Sequence, residues 1–180
     1  DLSGTRISAE DNVSFKVSTK ALFSGRAVHR ISPIPNSGPL PPKVGEKTTY
    51  TLVWEVKNFT NMLENAEIKT TLPPNVTWEN SFFPKDARIS FDPASGEVYW
   101  RIGQVKSGVG VLSPTLVGAF QVSVIPSDAD RGKAIIVTGE SKLSGKDNFT
   151  GELIGEKIPS FSTELREDSA TTQDDWKVVR

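Results

Sequence analysis

One histidine, His29, and no cysteine make up the usual nucleophile-activating side chains of this 180-residue chain. A Ser-His-Asp triad or a multi-histidine metal centre would have to be built around that imidazole. It stands in RAVHRIS, and no nucleophile-elbow sequence occurs anywhere, so it reads as a surface or strand-edge histidine. The lack of cysteine excludes thiolate catalysis, a disulfide framework and cysteine-held zinc or iron–sulfur centres. Asp128 and Asp130, in SDADRGK, are spaced as calcium ligands are. Gly132, however, falls where a third oxygen ligand belongs, Lys133 falls where the loop glycine belongs, and no glutamate closes the loop. The pair reads as turn caps. Glu64 with Glu67, Glu152 with Glu156 and Asp174 with Asp175 could pair as acid and base. A glycosidase needs two carboxylates about 5–9.5 Å apart across a cleft, and nothing in these spacings points to a cleft. GESKLSGKD has Asp147 where a phosphate loop requires Ser or Thr. The expectation is no enzyme and no cofactor.

Aromatic side chains offer a second chemistry, the stacking of sugars on flat rings. Trp54 shares strand parity with Leu52 and Val56, and Trp100 with Val98 and Ile102, so both tryptophans should point into a core. Tyr99 alone faces out, beside Glu97 and Arg101. Phe82 and Phe83, just before Pro84, read as a loop patch able to make contacts. Phe82, Phe83 and Tyr99 are therefore the candidate ligand-binding residues. The sequons at Asn12, Asn58, Asn75 and Asn148 read as incidental.

The elements that must position these residues are strands. VSFKV (13–17) alternates apolar and polar residues and predicts a first strand. Prolines at 33, 35, 39, 41 and 42 predict an extended approach segment or linker across 32–43, since each removes a backbone donor. KTTYTLVWEVKN is the strongest strand, with Tyr50, Leu52, Trp54 and Val56 on one face. Further strands are expected in NAEIKTTL, from Val76 to Trp78, in ISFD, in EVYWRIGQV, over 116–125, through Ile135 and Val137, and in FTGELIGEKI. Half-buried strands separated by turn residues predict an all-β fold, an antiparallel immunoglobulin-like sandwich of about 7–9 strands. The expected organisation is an N-terminal strand and approach segment (1–43), the sandwich (44–162), and a polar tail (163–180) that is flexible apart from its last residues, where Trp176, Val178 and Val179 offer a docking point.

Twenty-one Lys and Arg against 22 Asp and Glu give a net charge of -1. No overall field would draw in nucleic acid or an anionic membrane. No run of residues is long and apolar enough to span a bilayer, and no signal-peptide pattern is present.

Three motifs carry a family resemblance: Val44-Gly45-Glu46, the corner LPPNVTW (72–78) and the hairpin SGEVYWRIG (95–103). Together they resemble the conserved repeat domain (domain of unknown function 11) of bacterial and archaeal cell-surface proteins, over roughly residues 40–145. Asn58-Phe59-Thr60, in place of the usual Asn-Thr-Gly, departs from that pattern. The resemblance implies an immunoglobulin-like sandwich outside the cell, a structural or adhesive module. Its expected partners are proteins or neighbouring modules of the same surface assembly, with polysaccharide as the alternative, bound by the end loops. It implies no catalytic residue.

Overall fold

A computed structural model describes residues 15–180. The strands are β1 (Ala21–Val28), β2 (Thr48–Asn58), β3 (Leu63–Thr71), β4 (Val76–Phe83), β5 (Ile89–Asp92), β6 (Glu97–Val105), β7 (Leu116–Val124), β8 (Ser141–Asp147) and β9 (Leu153–Ile158). They form two antiparallel sheets, ordered β1-β2-β7-β4 and β5-β6-β3-β8-β9.

Alternation of side chains along the strands, broken by bulges in β3 and β4, builds the core between the sheets. Tyr50, Leu52, Trp54 and Val56 of β2 are fully buried, as are Ile68 of β3 and Val98 of β6, with Trp100 beside them. Each such side chain contributes on the order of 1.5–3 kcal/mol. An aromatic file crosses the core: Trp54 lies 4.8 Å from Phe120, Phe120 lies 5.5 Å from Trp78, and Trp78 stacks on Phe91 at 5.8 Å. Trp100 reaches across to β7 at Gly118, where a Cβ would stand 2.7 Å from its ring. The sheets can close to this distance only because position 118 has no side chain.

The outer faces differ. On the first sheet, Thr49, Thr51, Val53, Gln121 and Ser123 should face solvent by parity, yet all are buried. The cover is the proline-rich segment. Ile34 packs on Val28, Val53 and Ala119. Gln121 Nε2 donates to Pro35 O (2.8 Å) and Asn36 Oδ1 (2.9 Å), Thr51 Oγ1 donates to Asn36 Oδ1 (3.2 Å), and Ser37 N–H donates to Thr49 Oγ1 (2.7 Å). Residues 32–43 are thus a strap over the sheet rather than a linker. Prolines cannot donate to a ladder, so the strap binds through its carbonyls, through Asn36 and through the Ser37 N–H. Replacing Asn36 with Ala is expected to lower stability by about 1–2 kcal/mol in urea titration, because Gln121 and Thr51 lose an acceptor under cover. On the second sheet the outer face is bare and charged.

Three further expectations are corrected. Val13 and Ser14 lie outside the described residues, while residues 15–20 are not strand; pairing with β2 begins at Ala21. Phe15 and Val17 are 85% and 71% exposed, so their alternation does not mark a half-buried strand of this sheet. The stretch around Ile135 and Val137 makes only an isolated bridge, at Ile136, and the strand begins at Ser141. The segment 163–180 docks not only by its last residues, where Val178 is buried, but also by its first, burying Thr163, Leu165 and Asp168. Its polarity hid this, because Thr163 and Asp168 are buried as hydrogen-bonding groups. Thr163 Oγ1 accepts from Ile135 N–H and donates to Trp176 O.

Candidate functional site

Tyr99 faces out, as parity requires, but it is already engaged. Its hydroxyl donates to Glu97, whose carboxylate also meets Lys69 at 3.5 Å. The Arg101 guanidinium lies 5.1 Å from the ring centroid and bonds Glu67 at 3.3 Å. Glu67, Arg101, Tyr99, Glu97 and Lys69 form one ladder across β3 and β6, of the cross-strand kind that stabilises sheets. Arg101 covers the ring that would stack on a sugar.

Phe82 and Phe83 end β4 rather than sitting in a loop. Phe82, paired with Phe120, packs against the core, while Phe83 stays 42% exposed beside Ala119. The structure does not bring Tyr99 together with these two: Tyr99 is on the outer face of the second sheet, and they are on an edge strand of the first. A bulge between Trp78 and Phe82, with Asn80 at φ 51°, twists this edge away from regular pairing.

The other candidates are occupied by structural bonds. Asp130 Oδ2 accepts from Ser127 N–H (2.8 Å) and Ser127 Oγ (2.6 Å), with Asp128 opening the same 3₁₀ turn. Those bonds hold the Asp130 carboxyl below the usual range. No group of three or more His, Asp or Glu side chains converges among the described residues. His29 Nδ1 donates to Thr49 O at 2.8 Å, at the end of β1. Asn58 is buried, its amide donating to Asn61 O and Val105 O, so this sequon is closed in the folded chain. Asn75 and Asn148 are exposed, and Asn12 lies outside the described residues. A groove of about 400 Å³ runs between residues 25–27 and 159–167. Its two arginines are already paired, Arg26 with Glu55 and Arg166 with Glu164.

What remains distinctive is how the chain passes through the sandwich. Ala21 pairs with Asn58, and Leu63 with both Val105 and Asp147, which defines an upper pole. Thr48 pairs with Val124, and Lys43 with Val179, which defines a lower pole. Residues 15–20 therefore lie at the upper pole and residues 178–180 at the lower one. The eleven residues of β2 set a separation of about 36 Å. Residues 15–180 form an immunoglobulin-like β-sandwich and run from its upper pole to its lower one.

No family model matches the chain, and no curated protein matches it. Among solved structures it is similar to BcpA, the major pilin subunit of Bacillus cereus, at 8% identity and TM-score 0.47, over 79% of this chain and 40% of that one. It is also similar to the RrgA Jo.In complex, at 10% identity and TM-score 0.47, over 77% and 76%. The chitin-binding domain of chitinase from Pyrococcus furiosus is similar at 16% identity and TM-score 0.33, over 74% and 100%. The chain spans about two fifths of the length of the pilin subunit.

Two buried aspartates at the poles were given no role from the sequence, where Asp147 served only to rule out a phosphate loop. Asp147, at the upper pole, accepts from Thr19 N–H (2.6 Å), Asn61 Nδ2 (2.9 Å), Phe149 N–H (2.8 Å) and Thr150 N–H (2.9 Å). Burial pushes its carboxyl up, but these donors outweigh burial and hold it well below the usual range. Asp168 accepts from His29 and Arg30 N–H, both at 2.7 Å, and more weakly from Ile31 and Ala170. Here too burial pushes the carboxyl up and the backbone donors bring it below its ordinary value. One aspartate thus fixes the chain just before β1, and the other fixes it just after. The available signal was turn chemistry: Asp147 precedes Gly151 in DNFTG, where an aspartate caps the N–H groups that follow it.

Proposed function

We propose that this chain is a non-catalytic structural module of an extracellular surface protein, set end to end with neighbouring modules or subunits along the axis between its poles. The observation that carries this reading is the pole-to-pole path of the chain, with an aspartate clamp at each end of β1. A module threaded in this way adds its full length to an array, whereas one with both ends at a single pole would hang beside it. The motif set at 44–46, 72–78 and 95–103, which resembles the conserved repeat domain of prokaryotic cell-surface proteins, supports the same placement. Neighbours would meet at the poles and at sheet edges. The strap covers one sheet face, and paired charges hydrate the other.

Two copies joined head to tail, measured by small-angle scattering, test this reading. The expected maximum dimension is close to twice that of one copy, and a value near that of a single copy overturns the end-to-end arrangement. On intact cells that produce the protein, an antibody to the chain should label the surface without permeabilisation. Binding on a glycan array that is abolished by Phe83→Ala would favour polysaccharide recognition instead.

A further inference from the structure

The geometry points to a mechanical role: the sandwich carries tension between its poles, with β1 and β2 paired so as to resist it in shear. This rests on the end-to-end reading only for the direction from which load arrives.

A pull on residues 15–20 draws β1 toward the upper pole. The opposite pull reaches the lower pole through Val178 and Val179. Val179 N–H donates to Pro42 O (2.9 Å), Val44 N–H donates to Val179 O (3.1 Å), and Val178 is bonded to Gly132 and Lys133. Residues 42–44 lie at the root of β2, so the load passes into β2 directed downward while β1 is drawn upward. The two strands are antiparallel and paired over eight residues, from Ala21↔Asn58 to Val28↔Thr51. Force along their common axis loads the whole ladder at once, in shear. Force that separates neighbouring strand ends breaks one pair at a time.

The clamps reinforce that asymmetry. Asp147 takes Thr19 N–H and the Asn61 amide, tying the segment before β1 to the turn after β2 and to the end of β8. Asp168 takes the N–H groups of His29 and Arg30, holding the far end of β1. Asp168 stands in the C-terminal segment, so that segment, with Leu165 seated in the core, is part of what holds β1.

Single-molecule pulling on isolated copies tests this. The chain has no cysteine, so two introduced thiols give unique attachment points. Lys16→Cys with Glu46→Cys shears β1 against β2. Lys16→Cys with Thr60→Cys unzips the same pair. All three positions are exposed. The expected result is a rupture force at least twofold higher for the shearing pair, and equal forces overturn the proposal. These outcomes are separate from the scattering result, since a copy that does not align with its neighbour still shows its own strong axis.

Discussion

Asp147→Ala is expected to lower the unfolding free energy by about 3 kcal/mol, read from urea titration with an unchanged slope. The carboxylate is fully buried and takes four donors, two from its own turn and two from Thr19 and Asn61. Bonds to a charged acceptor contribute about 1.5–3 kcal/mol each but are not additive, and losses above about 4–5 kcal/mol from one residue are exceptional. Asp147→Asn keeps one acceptor oxygen and should lose less. The pH dependence has a definite sign. The Asp147 and Asp168 carboxyls are both lowered on folding. Their contribution is fully present above the unfolded aspartate value of about 3.9, and it is lost as pH falls below that value through the folded ones. In the Asp147→Ala protein, acid unfolding should set in with a shallower loss, because one of the two groups is gone. A change below about 1 kcal/mol on Asp147→Ala would show that water substitutes for the clamp.

Gly118→Val should cost about 2–3 kcal/mol, at the upper end of the range for overpacking. A Cβ at this position would meet three atoms of the Trp100 ring at 2.7–2.8 Å. That ring is wedged in the core and cannot swing aside as the far end of a flexible chain could. The decisive comparison is a double-mutant cycle with Trp100→Leu. If the two sheets approach through this contact, Gly118→Val becomes much less costly beside leucine, with a coupling of at least about 1 kcal/mol. Additive effects would place the strain elsewhere in the sandwich.

The inner faces were legible because strands write their period directly into the sequence. Tyr50, Leu52, Trp54 and Val56 alternate without a break, as do Val98, Trp100 and Ile102, and the buried faces follow. Parity also placed Tyr99 outside, although its capture by Glu97 and Arg101 depends on cross-strand neighbours that no local pattern contains. The strap was not legible. Prolines at 33, 35 and 39 look like a linker, and only the facing Thr51 and Gln121 reveal that polar groups of β2 and β7 are being covered. The C-terminal segment failed for a related reason. A buried aspartate such as Asp168 looks like surface charge until its donors, 139 residues away at His29, are found. At Phe82 and Phe83, Pro84 drew the loop assignment, but the bulge before them lets β4 run on to Phe83.

The two clamps also bear on how the protein is made. Thr19 waits for a partner 128 residues further on, and His29 for one 139 residues further on. A ribosome releases the chain from its N-terminus, so β1 is without its anchors until residues 147 and 168 have emerged. Topologies closed by such distant partners fold slowly. During synthesis β1 would stay unfastened at both ends, and Asp147 and then Asp168 would complete the lock on it.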